Sequence, residues 1–509
     1  MKRKHTIWAG MCALGASLVL YTACGIADEL LVVENPEEIV VETLDDFNLK
    51  DVQVNGVVAL FKTAWDSPGI EYGLMHTDAH LDGVNWEGTA RQGQRILHWD
   101  EGESGAVFEQ TSRALRTGHN LAEQLRVWQA DDSLDLAPGE LDEDLATVLV
   151  FTGYSVVAMA EMMCQTVVSP DPDNPDSIIH DNAWNYNHAE QYLTEALSIA
   201  TANGFDDIAN LARTGLARAH LGQGEWSDVV TQAGAVTAGF EWWLEYLDQD
   251  NGRNPLQNSS YGGNFFMGIN PLFTGTHSSF DGTGFVFEDE DIIDPQTDPR
   301  IQHMPSPKTG HNALTPLYKL IQGLRYDGYS GMTIAPQSVA CPNCTPDTDG
   351  NGLGWDVEDI SETDLPLVAW YSTDILLADY VEAQHHYWEA IAMQSQNEAG
   401  VLAFVNARRA VGNQAAVALT YPALRTELRN QRGRDLFLGG FRTGDLRRWT
   451  VWDAGNGPFA AGSYFPTGTH PNTQWGAYED WTCFPIPRSE YEGNQNLTPP
   501  TDPSVPPNT

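Results

Sequence analysis

Gln431-Arg-Gly-Arg-Asp-Leu-Phe-Leu-Gly-Gly-Phe-Arg-Thr-Gly-Asp-Leu-Arg-Arg448 is the stretch whose reading decides the architecture. Apolar residues recur at helical spacing from Leu424 to Phe437. Arg432, Asp435, Arg442 and Asp445 lie at or near three- to four-residue intervals on that helix and its exit. Charges spaced this way can pair with one another and satisfy carbonyls of the following loop. The expectation is therefore a structural role for them, in preference to ligand contact.

Outward from this stretch the chain reads as mainly helical. Upstream lie helical windows at Val401 to Ala410 and Leu376 to Met393. A second set covers Val107 to Val127, Leu141 to Met163, Ala189 to Ala202, Ile208 to Leu221 and Trp226 to Phe240. Each carries apolar residues three or four apart. Within it, Ala189, Leu193 and Ala196 have the small–large–small spacing of a tetratricopeptide-type helix, and Leu216, Ala217 and Gly224 fit the next helix and turn. Val229, Ala233 and Val236 fit less well, so a generic helical hairpin is the alternative. Trp242 and Trp243 are read as closing a helix. Residues 241–370 differ in character: rich in Gly, Asn, Ser, Pro and aromatics, they read as an irregular insert of the kind that binds ligands. The expected organisation is helical repeats at about 105–240 and 371–450, that insert, a C-terminal loop region 451–497 and a Pro-rich tail 498–509, with 46–497 forming one domain.

Composition narrows the function. The 509 residues include 70 acidic and 27 basic side chains, a formal net charge of −43. Nucleic acid is excluded as a partner, because binding it needs a basic face that displaces counterions. Polyanionic substrates are disfavoured for the same reason. Only six of the basic residues are Lys, and an acidic, Lys-poor surface suits a saline medium, where repulsion is screened.

Met1-Lys-Arg-Lys-His5 is basic, and Thr6 to Leu20 is apolar and uncharged. The stretch is too short for an ordinary membrane span. Tyr21-Thr-Ala-Cys24 follows, with small residues before the cysteine. The segment resembles a bacterial lipoprotein signal, with Tyr21 where Leu is usual. It implies removal of residues 1–23, lipid on Cys24, and an acidic tether over 24–45. Lipid would anchor the protein to a membrane without spanning it.

With these parts in order, the chain resembles the SusD/RagB family of outer-membrane nutrient-binding lipoproteins. In the signature stretch Arg432, Leu436, Gly440, Arg442, Asp445 and Leu446 match, while Gln431, Asp435 and Gly439 stand where Glu is usual. Phe484-Pro-Ile-Pro487, then Glu490, Asn494, Asn496 and Leu497, match the family's ending. Asp298-Pro-Arg300, Phe404-Val-Asn406 with Arg409, and Leu211-Ala-Arg-Thr-Gly-Leu-Ala-Arg218 look like family segments in the family order. The resemblance implies a SusD-like fold on the outer face of the outer membrane. It implies non-catalytic capture of oligosaccharides, or in some members peptides, and delivery to a SusC-like TonB-dependent barrel. No cofactor is required.

A glycan site needs exposed aromatic rings beside short polar residues. Asn85 with Trp86, and Tyr261 with Asn264, meet that need, with Trp99 and Trp355 as further candidates. Each ring has a core role as its alternative. His385 and His386 lie within a helix, and one surface and one packed residue are expected there. Asp347, Asp349, Asn351 and Glu358 have the spacing of a calcium loop, with hard oxygens at alternate positions and Gly352 for the turn. Gly354 and the absence of an incoming helix at Cys341-Pro-Asn-Cys344 argue against a true EF-hand, and a solvated acidic turn is the alternative.

Cys164, Cys341, Cys344 and Cys483 remain in an oxidising compartment and allow three pairings. Cys341–Cys344 as a local loop and Cys164–Cys483 as a long-range staple is the expected set, with a four-cysteine zinc site as the rival. HExxH, P-loop and GxSxG motifs are absent. A helical glycoside hydrolase remains the alternative of another class, because carboxylate pairs are everywhere in so acidic a chain.

Overall fold

The computed structural model describes residues 46–82, 87–100, 102–167, 178–247, 254–255, 267–269, 279–280, 285–286, 298, 300–305, 318–323, 374–470, 476–494 and 496–500. By contacts the chain divides into residues 1–53 and 54–509. In the first unit a short 3-10 turn, Phe47–Leu49, is capped by Asp46, whose Oδ1 accepts from Asn48 N at 2.9 Å. Helix α1, Lys50–Ala64, follows that turn. A wider π-helical stretch, Trp65–Tyr72, and a last turn, Gly73–Met75, continue it.

The second unit is mainly helical. Its helices in order are α2 (Glu87–Gly93), α3 (Gly102–Gln129), α4 (Asp142–Met162), α5 (Asn182–Asn203), α6 (Asp206–Gln223) and α7 (Trp226–Gly234). After the middle region come α8 (Tyr380–Met393), α9 (Glu398–Val411), α10 (Ala423–Asp435), α11 (Arg442–Trp452) and α12 (Arg488–Gly493). From α3 to α7 each helix packs on the next, and α8 packs on α7, giving stacked pairs of the tetratricopeptide type.

Helix α4 is the axis of the stack. It is long and apolar enough to cross a bilayer, but 89% of its apolar window is buried, which makes it a core helix. Ala189, Leu193 and Ala196 of α5 are fully buried. Gly153 of α4 lets Leu193 in: a Cβ there would lie 2.6 Å from Leu193 Cγ. Burying such a leucine contributes roughly 1.5–3 kcal/mol. Asp181 caps α5 by accepting from Trp184 N at 2.8 Å, and Gly224 ends α6 in the left-handed conformation, φ 73°.

Two sequence-based boundaries move. Trp242 and Trp243 lie on a strand, β2 (Glu241–Leu244), and do not close a helix. Helix α7 stops at Gly234, ahead of the Thr237–Phe240 turn. The window from Leu376 likewise opens as a strand. Apolar, fully buried runs read alike for helix and strand, and length alone separates them. The other strands are β1 (His80–Asp82), between α1 and α2; β3 (Met267–Ile269), β4 (Ser279–Phe280), β5 (Phe285–Val286), β6 (Ile301–Pro305) and β7 (Tyr318–Gly323) in the middle region; and β8 (Ile375–Asp379), which leads into α8. They form an antiparallel sheet of order β1-β3-β7-β6 and the pairs β2-β8 and β4-β5. Strand β2 pairs Glu241 with Asp379 and bulges between Trp242 and Trp243. Asp379 then caps α8, accepting from Glu382 N at 2.7 Å.

Candidate functional site

The signature stretch forms two helices, α10 and α11, joined by a tight turn, Leu436–Phe441. Gly440 turns the chain at φ 74° with its Cα against Trp65, where a Cβ would lie 2.9 Å from the indole. The charges predicted on this stretch are buried: Arg432, Asp435 and Asp445 are each 3% exposed or less. Arg432 and Asp445 pair with one another, Nε to Oδ2 at 2.8 Å, as expected. Asp435 and Arg442 find their partners elsewhere in the chain.

Asp435 is the centre of one group. Arg408 of α9 binds it through two nitrogens, each at 2.7 Å, and Arg300 reaches Oδ1 through Nη1 at 3.0 Å. Arg300 is held from behind by Asp298, Nε to Oδ1 at 2.8 Å and Nη2 to Oδ2 at 2.7 Å, and Arg434 donates to Asp298 at 3.1 Å. His385 Nε2 lies 2.7 Å from Asp435 Oδ2. Burial pushes the Asp435 carboxyl up, but hydrogen bonds from His385 and Arg408 outweigh it and leave it well below the ordinary range. Burial draws the His385 pKa below its ordinary value in spite of the hydrogen bond to Asp435.

A second group centres on Asp445. Arg448 Nη2 donates to Asp445 Oδ1 at 3.0 Å and to Glu389 Oε2 at 2.9 Å, and Trp449 Nε1 donates to Glu389 Oε1 at 2.6 Å. Arg432 Nη1 donates to His386 Nδ1 at 3.2 Å. An imidazole that accepts at Nδ1 carries its proton at Nε2, which faces Glu382 Oε1 at 3.1 Å. Burial raises the Asp445 pKa, and Arg432 and Arg448 bring it down to about 2. Arg442 binds Asp78 through Nε at 2.7 Å and Nη2 at 2.6 Å, and Arg218 Nε donates to Glu161 at 2.7 Å.

His385 and His386 are both fully buried, which corrects the expectation of one surface residue. The signal was available in the sequence. Glu382, His385, His386 and Glu389 sit three or four apart on one helix, on the side that holds Ala383 and Ala390 in the core. Polar groups on an apolar face need buried partners, and the arginines of the signature supply them. The interior thus binds α8, α9, α10, α11 and the Asp298–Arg300 segment together through carboxylates already committed to guanidinium groups.

The Pro-Ile-Pro ending is fastened to α4. Cys164 and Cys483 are joined by a disulfide, Cα–Cα 5.0 Å across 319 positions. Cys164 N donates to Phe484 O and Phe484 N to Met162 O, both at 2.8 Å. Arg95 donates to the carbonyls of Trp481 and Pro466, both at 2.8 Å.

Trp99 is the ligand candidate that falls on described residues. It is half-buried, with the edge of Tyr491 toward its ring at 5.4 Å and the Arg488 guanidinium 5.8 Å from its centroid. Arg488 also donates to Glu492 Oε1 at 2.6 Å. An indole, a phenol, a guanidinium and a carboxylate therefore stand together at the surface. The indole is thus engaged by neighbours of its own chain, which is the packing role the sequence left open for it. Asn85, Trp86, Tyr261, Asn264 and Trp355, the calcium-loop residues Asp347, Asp349, Asn351 and Glu358, Cys341, Cys344 and Cys24 lie outside the described residues.

No protein-family model and no curated protein sequence matches the chain. Solved structures do match. A SusD superfamily protein from Bacteroides vulgatus superposes with a TM-score of 0.59 at 13% identity, covering 88% of this chain and 97% of that one. A SusD-like carbohydrate-binding protein from Bacteroides fragilis gives 0.58 at 15% identity, covering 89% and 99%. Another SusD-like carbohydrate-binding protein from B. vulgatus gives 0.58 at 12%, covering 91% and 98%. The chain has the SusD-like fold over most of its length.

Proposed function

We propose that this SusD-fold chain is a member of the SusD/RagB family that captures oligosaccharides at the cell surface without cleaving them. The reading rests on the fold, matched along nearly the whole of proteins two of which are named for carbohydrate binding. The N-terminal pattern ending at Cys24 adds a lipid anchor on the outer membrane, facing outward. A SusC-like TonB-dependent barrel is the partner to which such a protein delivers its ligand. Capture rests on aromatic rings with polar neighbours, Trp99 among them and Trp86 and Tyr261 in the loops.

In this reading the buried charges are scaffold. They hold α8, α9, α10 and α11 together and take no part in ligand contact. The experiment is calorimetry of the purified protein against a panel of neutral polysaccharides, with each sample assayed for new reducing ends. Heat of binding without new reducing ends is the expected result. New reducing ends sink the non-catalytic reading, and heat with peptides alone transfers the reading to peptide capture.

A further inference from the structure

Glu190, His220 and Glu225 meet where α6 gives way to α7. His220 occupies the last turn of α6, and the left-handed Gly224 folds the chain back behind it. Glu225 N donates to His220 O at 3.0 Å, which closes the turn. Glu225 Oε2 then lies 2.7 Å from His220 Nδ1. Glu190 comes from the neighbouring α5, with Oε1 3.1 Å from the same nitrogen. One ligand atom from each residue lies within 4.8 Å of the other two.

The charge there is unbalanced. Among the described residues neither carboxylate pairs with Lys or Arg, and the other donor to Glu190 is the neutral amide of Gln223. The side chains are 13% (His220), 21% (Glu190) and 43% (Glu225) exposed. The nitrogen is thus largely shielded, while one carboxylate faces solvent and leaves a path for an ion and its waters.

We propose that Glu190, His220 and Glu225 form a binding site for a divalent transition-metal ion of the zinc type, held by His220 Nδ1 and one oxygen from each carboxylate. One imidazole nitrogen with two carboxylate oxygens suits borderline cations, whereas Ca²⁺ and Mg²⁺ prefer oxygen alone. Ligands about 2.1 Å from a tetrahedral ion stand roughly 3.4 Å apart. The contacts of Glu225 and Glu190 with Nδ1, at 2.7 and 3.1 Å, therefore need to open by about 0.7 and about 0.3 Å. An ion here would tie α5, α6 and the start of α7 together. Ligation needs a bare Nδ1, so binding releases a proton where His220 is charged.

The test is calorimetric titration of the chelator-treated protein with Zn²⁺, thermal unfolding with and without Zn²⁺, and the visible spectrum of the Co²⁺ form. One equivalent should bind, the melting temperature should rise, and Co²⁺ should show d–d bands without a thiolate charge-transfer band. Glu225→Gln, at the most exposed ligand, should keep the metal-free melting temperature and weaken Zn²⁺ at least tenfold; His220→Gln should do the same to binding. Absence of binding overturns the proposal. So does binding that survives both substitutions, or that disappears when Cys341 and Cys344 are replaced by Ser.

Discussion

Arg300 and Asp435 meet in the interior, Nη1 to Oδ1 at 3.0 Å, although 135 positions separate them. Both side chains are wholly buried, and each has a further partner, Asp298 for Arg300 and Arg408 for Asp435. The contact joins a segment of the middle region to the signature helix.

Replacing Asp435 with Asn should cost about 3–5 kcal/mol, because two arginines lose their shared anion in a low-dielectric interior. Urea unfolding measures it through the midpoint. A loss below about 1 kcal/mol would mean that water or Asp298 takes over the charge, and that the cluster is not a keystone.

The Cys164–Cys483 bridge closes a loop of over three hundred residues. Breaking it with Cys483→Ser should lower stability by roughly 2–5 kcal/mol, since the unfolded chain regains the freedom the bridge removes. Reduction of the parent protein should lower the melting temperature to about that of the variant. Equal melting with and without reductant argues against the bridge.

Acid should destabilise the protein in two steps. Burial depresses the His76 pKa to about 3 and the His188 pKa to about 4, below the ordinary 6.5. The unfolded chain therefore takes up protons that the folded chain refuses as pH falls from about 6.5 toward these values, and stability declines with pH across that window. A further loss follows below about pH 3.8, where the unfolded carboxylates protonate while Asp445 stays ionised to about 2. Melting temperature recorded from pH 8 to pH 3 checks the sign. His188→Gln should flatten the upper part of the curve.

Trp99→Ala should weaken glycan binding by about 1–3 kcal/mol, roughly fivefold to 150-fold, if its ring is a stacking platform. The same loss is expected for Trp86→Ala and Tyr261→Ala. Unchanged affinity in all three variants would leave capture to other residues and favour a purely structural repeat adaptor.

Cys24→Ser should move the protein from the membrane fraction to the soluble fraction, with glycan affinity intact. Retention in the membrane would require an anchor other than lipid on that residue.

The helical stack was largely legible because its windows repeat at one period and end in strong stops such as Gly204 and Gly224, both left-handed in the structure. The strands at 241 and 375 were not: the buried run Ile375–Asp379 is as apolar as a buried helix over five residues, and the half-buried Trp242 and Trp243 suit either element. Pairing within the signature was half readable. Arg432 and Asp445 lie 13 positions apart within the signature stretch, whereas Asp78, Arg300 and Arg408 come to their partners from outside it. The same holds for Tyr491 and Arg488 beside Trp99: aromatic loops can be read from composition, but what stands over a ring cannot.

The fastening of the last residues has a consequence for how the molecule is made. Arg95 waits for the carbonyls of Pro466 and Trp481, Trp99 O for the amide of Arg488, and the end of α4 for Phe484. Synthesis proceeds from the N-terminus, so the early helices emerge with these groups unmet. The interior closes only when the segment from Pro466 to Arg488 arrives. A nascent chain stalled before that point would be a helical fragment with open polar ends. Such a fragment is a natural target for proteolysis until residues 466–488 have docked.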